Sequence, residues 1–173
     1  KAHELGITHA LQIDADGQHD IGRTPFFMQK AEQYPNAMIL GYPEYDASVP
    51  SHRKNGRKFA NTWAKVVSFE SGIIDSMCGF RVYPVEATYD FITRHHYDKR
   101  MGFDIDILIR LIWKGLPFIF FPVHVTYPSD GISNFRMVQD NARISWVYTK
   151  LCCGMFLRLP WLIAKVIKRK RTA

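Results

Sequence analysis

The sequence predicts an α/β domain, a sheet flanked by helices. Two observations point there. Short apolar runs rich in β-favouring residues alternate with segments of helical period. The first such run ends in an acidic Asp-Gly turn, and α/β domains collect their chemistry beyond strand C-termini. The bulk numbers agree with one well-packed core: 173 residues, 47% hydrophobic and 14% aromatic, which excludes a disordered chain. The cysteines, Cys78, Cys152 and Cys153, are odd in number and lack paired spacing. They do not form a secreted disulfide framework, which favours a reducing compartment.

Lys1–Leu5 resembles a final helical turn with Gly6 as its stop. The segment HALQI, residues 9–13, reads as a short buried strand that delivers Asp14, Ala15, Asp16 and Gly17. Thr24 and Pro25 open a helix towards Tyr34, with proline at its first position. AMILGYP (37–43) is the next strand, and SHRKNGRK (51–58) reads as a polar, basic loop. Phe59 to Phe69 has helical spacing, GFRVYP (79–84) is a short strand, and Val85–Arg94 is a helix. GFDIDILIRLIWKG (102–115) is the clearest helix, with Ile105, Leu108, Ile109 and Ile112 on one face and Gly115 at its end. PFIFFPVHVTYP (117–128) is a strand, followed by the loop SDGISNFR (129–136). No internal repeat or low-complexity run interrupts this order.

Charge is uneven. No acid follows Asp140, and eight of the 23 cations lie beyond it, so the remainder carries 15 cations against 16 acids. Arg143, Lys150, Arg158 and Lys165 are spaced 7, 8 and 7, a narrow arc at about 100° per residue. Trp146, Leu151, Met155, Leu162 and Val166 fall largely elsewhere. Pro160 is expected to kink or split the helix, and the charges interrupt any clean spanning segment of about 20 residues. The tail therefore reads as two amphipathic helices on an anionic membrane surface, closed by KRKR (168–171). Its Trp and Leu content favours lipid over nucleic acid. The plainer alternative is a helix packed on the body with a solvated basic end.

In LQIDADGQHD (11–20), Asp14 and Asp16 repel each other unless something positive lies between them. On a continuing strand, residues i and i+2 share a side, so both could present oxygens to one cation. Oxygen ligation favours Mg²⁺ or Mn²⁺. Gln18 could add a neutral oxygen, and His19 is a borderline alternative. The remaining ligands would come from water and phosphate, implying a diphosphate partner. An EF-hand loop is rejected, because His19 and Pro25 stand where glycine and glutamate are required. A phosphotransferase of the haloacid dehalogenase type wants Thr or Val where Gln18 stands. A solvated acidic turn carries no chemistry at all.

DADGQHD (14–20) closely resembles the metal-binding motif of family 2 glycosyltransferases, especially the dolichyl-phosphate mannose synthase-like branch. Three further segments follow in the same order. IIDSMCGFRVYP (73–84) resembles the family's D-x-x-S-G-F/Y-R segment, with Cys78 in place of serine. GFDIDILIRLIWKG resembles the opening of the helix carrying its E-D motif, with Phe103 in place of glutamate. PFIFFPVHVTYPSDGISNFR (117–136) resembles its final strand and G-x-S loop.

The resemblance covers about residues 1–136 and implies part of a GT-A fold, a mixed sheet flanked by helices, with residues 137–173 as a basic membrane-associating tail. It implies an inverting, metal-dependent transfer of sugar from a nucleotide-sugar donor to a lipid-linked or cell-envelope acceptor, such as a polyprenyl phosphate or glycolipid. Asp14, Asp16 and Gln18 would hold the metal. Asp14, Arg81, Ser133 and Arg136 would touch substrate. Asp104 would act as base, with Asp106 as the spare carboxylate, since residues two apart on a helix point about 200° apart; towards an already ionised phosphate acceptor Asp104 would orient or cap instead. The expected place is the cytoplasmic face of the cell membrane. The family's nucleotide-binding half precedes its D-x-D motif. The chain is thus expected to be a C-terminal portion that alone binds nucleotide weakly, transfers no sugar and self-associates. The alternatives are a D-x-D phosphotransferase or phosphatase, and a catalytically inactive membrane-binding fragment.

Overall fold

The structure, a computed structural model, describes residues 1–45, 51–126 and 136–172. It is α/β, built on a four-stranded mixed sheet in the order β1-β3-β2-β4. The strands are β1 (His9–Gln12), β2 (Met38–Tyr45), β3 (Arg81–Pro84) and β4 (Phe118–Val125). The helices are α1 (Thr24–Gln33), α2 (Ser51–Ser68), α3 (Val85–Arg94), α4 (Phe103–Trp113) and α5 (Met137–Thr172).

β2 and β4 run parallel in an unbroken ladder from Met38↔Phe118 to Tyr45↔Val125, while β3 is antiparallel to both β1 and β2. Alternation along the strands sorts side chains onto two faces. Ile39, Val82 and Val123 pack with Phe27 and Ala31 of α1. Met38, Leu40 and Tyr83 face the other way, into a larger core with α2, α3, α4 and α5. The first turn matches expectation: His3–Leu5 closes on Gly6, whose φ of 68° is left-handed.

Three expectations are corrected. Residues 51–58 are the first two turns of α2, not a loop. Those turns carry few apolar residues, so the helical period becomes visible only from Phe59. The tail is one helix of 36 residues, not two, and it runs through Pro160. Proline lacks the N–H that would bond four residues back; that residue is Phe156, on the solvent side, where water can satisfy the carbonyl. The inner face of α5, with Val147, Leu151, Met155 and Leu162, completes the main core. Much of the expected basic stripe is turned to the protein. The Arg158 guanidinium lies over the Trp113 ring, and Lys165 pairs with Glu70 at 3.1 Å.

The third correction concerns β1. It stops at Gln12 and is half-buried rather than buried. Among the described residues it pairs only with β3, so its other edge has no strand beside it. The Val85 N–H donates to the Thr8 carbonyl at 2.8 Å, which sets the phase of that ladder.

Candidate functional site

The site is built at the end of the sheet where β1 finishes and β3 begins. After Gln12 the chain leaves the sheet and turns through Ala15–Gly17, with Gly17 at φ 72°. The strand argument for placing Asp14 and Asp16 on one side therefore does not apply, because the strand ends before either. The turn positions them instead. Asp16 is exposed and accepts the Gln18 N–H at 3.0 Å. Residues 18–20 then join the end of β4: Thr126 N–H donates to the Gln18 carbonyl, and Asp20 N–H to the His124 carbonyl.

Asp14 leans directly on Gly79. A Cβ at Gly79 would fall 2.2 Å from the Asp14 carboxyl carbon and both its oxygens, so only glycine admits the carboxylate there. Its side chain is 43% exposed, and His19 Nε2 stands 3.7 Å from Oδ2. The His19 ring meets Phe80 edge-on, and its Nδ1 is buried with no hydrogen-bond partner among the described residues.

The loop carrying Gly79 is fixed from below. Asp75 accepts the Met77 and Cys78 N–H groups at 2.9 and 2.6 Å, and pairs with Arg57 at 3.3 Å. Asn61 of α2 accepts from both the N–H and the hydroxyl of Ser76 at 2.9 Å. Arg57, in the turns of α2 that read as a loop, and Asn61, one turn further on, thus help hold the platform under Asp14. Burial pushes the Cys78 thiol up to about 11, so it stays protonated and unreactive near neutral pH.

Gln12, Arg81 and Leu40 form one rung across three strands, facing α4. The Gln12 amide donates to Asp104 Oδ1 at 2.8 Å, and Arg81 Nη1 donates to the Asp104 carbonyl at 2.7 Å and lies 3.9 Å from its carboxylate. Asp104 is 19% exposed. Burial raises its carboxyl above the ordinary value, the Arg81 charge and the Gln12 hydrogen bond oppose that, and the negative charges of Asp14 and Asp75 add to it. Asp106 has a different neighbourhood. It is fully buried, with Arg110 Nε at 2.6 Å and the Asp98 N–H at 3.3 Å.

Arg81 does not match the phosphate-binding expectation. It is 1% exposed, and its donors reach the carbonyls of Cys78, Ser76 and Asp104 and the Tyr83 hydroxyl. Arg81→Ala is expected to lower unfolding stability by about 3–5 kcal/mol, since it leaves buried acceptors unpaired. Denaturant titration measures this, and a mutant as stable as wild type would show that the fork has no structural role. Arg136 is exposed at the start of α5, its N–H donating to Asp140 Oδ2 at 2.7 Å. Ser133 lies outside the described residues.

Among the described residues, no group of three or more His, Cys, Asp or Glu is placed to hold a metal ion. A cation at this turn would have Asp14 and Asp16 as its carboxylates, both reachable from solvent, and would take most remaining ligands from water or phosphate. The sequence reading missed Gln12 and Gly79. The signal for Gln12 was a polar residue inside an apolar strand, two before Asp14. Compared with known families, curated proteins and solved structures, the chain matches none.

Proposed function

We propose that the chain is part of an inverting, metal-dependent family 2 glycosyltransferase of GT-A fold. It moves a sugar from a nucleotide-sugar to a polyprenyl-phosphate or glycolipid acceptor at the cytoplasmic face of the membrane. One observation carries the reading. Gln12 and Gly79, which flank the D-x-D turn from β1 and from the β3 loop, share a site with Asp104, 92 residues after Gln12. A solvated acidic turn has no reason to sit on a glycine that alone admits it, beside a second, largely buried carboxylate.

In this reading Asp14 and Asp16 would hold Mg²⁺ or Mn²⁺, with Gln18 as a third oxygen. The bound ion would neutralise the charge that grows on the diphosphate as the sugar bond breaks. Gln12 and Arg81 fix Asp104, whose carboxylate takes the proton of a hydroxyl acceptor and only orients a polyprenyl phosphate, which arrives already ionised. A raised carboxyl suits that task better than an ordinary one, because it draws the base towards the pH at which it works. Arg81 acts through Asp104 rather than on substrate.

The test is a panel of nucleotide-sugars given to the full-length protein with Mn²⁺ and polyprenyl phosphate. Transfer from one donor with inverted anomeric configuration is the expected result. No turnover of any donor, together with a trapped phosphoaspartate at Asp14, would replace this reading with the phosphotransferase.

A further inference from the structure

Like the tail helix α5, α2 carries exposed apolar side chains. We infer that α2 is itself a membrane-contacting helix, laying Phe59, Trp63 and Val66 into an anionic bilayer beside α5. The inference rests on the peripheral-membrane reading and extends it to a segment not assigned to lipid.

α2 is apolar on more than its buried face, which is unusual for a helix bathed in water. Ala60, Ala64 and Val67 face the core. Phe59, Trp63 and Val66, spaced i, i+4, i+7, form a second stripe about 100° round the helix, 67%, 38% and 48% exposed. The Phe59 and Trp63 rings meet edge to face at 6.2 Å, so the stripe is contiguous. A surface helix normally turns polar residues outward, and a contiguous exposed apolar patch marks a binding surface. Lys58 and Lys65 flank the stripe and are exposed. Residues 51–68 hold five Lys and Arg and no acid.

The neighbouring helix has the same character. The Tyr148 hydroxyl of α5 donates to the Ala60 carbonyl of α2 at 2.8 Å, so the two lie side by side. The outer side of α5 exposes Phe156, Leu157, Trp161 and Ile163, and no acid follows Asp140. Two adjacent helices, α2 without an acid and α5 without one after Asp140, both showing aromatic rings to solvent, call for an occupant that is apolar inside and anionic at its surface. A lipid leaflet meets both demands. A nucleic acid gives Val66 and Leu157 nothing to bury against. A second copy would set like charges together.

The placement has a use. The inner side of α2 carries Asn61 and Arg57, which hold the Asp75 loop beneath Asp14. The lipid contact and the platform of the site are then separated by one helix diameter, about 10 Å. A lipid-linked acceptor would reach the site from the surface that α2 touches.

Co-sedimentation of the full-length protein tests this, using phosphatidylcholine vesicles with and without phosphatidylglycerol. The double variant Phe59→Ala/Trp63→Ala should bind anionic vesicles about 10-fold or more weakly, from the loss of two buried aromatic side chains. Lys58→Gln and Lys65→Gln should each cost about 5-fold at low salt. Trp63→Phe should reduce the share of tryptophan emission quenched by lipids brominated on their acyl chains. Phe156→Ala/Leu157→Ala serves as the α5 control, and far-UV circular dichroism checks folding. If that control weakens binding while Phe59→Ala/Trp63→Ala binds as wild type, the α5 contact stands and this inference fails. If every variant binds as wild type, both fail. If vesicle binding is unchanged but sedimentation equilibrium shows a dimer lost in Phe59→Ala/Trp63→Ala, the occupant is a second copy and the inference is overturned.

Discussion

Asp16→Asn in the full-length protein is expected to lower sugar transfer about 1,000-fold with the fold intact. A cation at a developing diphosphate supplies several kcal/mol, and each 1.36 kcal/mol is tenfold in rate. The fold should survive because Asp16 is exposed and its one described hydrogen bond, from the Gln18 N–H, can be kept by asparagine. Gly79→Ala is the companion experiment. Its methyl group would occupy the place of the Asp14 carboxylate, displacing that group without changing its charge. Transfer should fall as it does on losing Asp14 itself. Full turnover by Asp16→Asn, or by wild type in excess chelator, would remove the metal from the mechanism.

The second large effect separates the two carboxylates of α4. Asp104→Asn is expected to lower transfer about 100- to 10,000-fold, the range for a positioned base, while donor binding is retained. Its effect on stability should have the opposite sign. The folded state raises the Asp104 carboxyl above its unfolded value, so folding favours the protonated form. That favourable contribution is complete below the unfolded value, near 4, and is lost as pH rises through the folded one. At neutral pH the wild type carries a charge that burial opposes; asparagine does not. The mutant should therefore match or exceed the wild type in stability at pH 7, and any advantage should shrink as pH falls towards 4. Asp106→Asn should behave differently, losing about 3–5 kcal/mol because it strands Arg110 beside a neutral partner. Thermal melts across pH, run beside activity assays, distinguish these outcomes. Unchanged transfer by Asp104→Asn would mean an acceptor that arrives already ionised, with Asp104 only orienting it.

Elements whose own residues repeat with a clear period were legible in the sequence. α1, α3 and α4 lie within the stretches 24–34, 85–94 and 102–115 expected to be helical. What failed was decided by contacts distant in sequence. The first turns of α2 look like a loop because their anchors include Asp75 and Tyr45, not their own period. Pro160 suggested a break, but Met155 and Leu162 are held in the core on either side of it. In the site, Asp14 and Asp104 were visible as acids at the ends of patterned segments. Their supports were not, because Gln12 and Gly79 matter only once β1 lies against β3. Arg81 illustrates the limit most plainly. Sequence shows a guanidinium beside a glycine turn; only the fold shows that four oxygens already surround it.

The lone ladder that holds β1 has a consequence for amide exchange. In an antiparallel pair, alternate residues turn their N–H and C=O groups towards the partner. The bond from Val85 to Thr8 fixes the alternation. Ala10 and Gln12, opposite Tyr83 and Arg81, point inward, while His9 and Leu11 point to the side with no neighbour among the described residues. Deuterium should therefore enter β1 in an every-other-residue pattern, quickly at His9 and Leu11 and slowly at Ala10 and Gln12. Any extended segment that comes to lie along that side would convert the pattern to four slow amides in a row. The strand that delivers Asp14 thus carries its own gauge of whether the sheet has been extended.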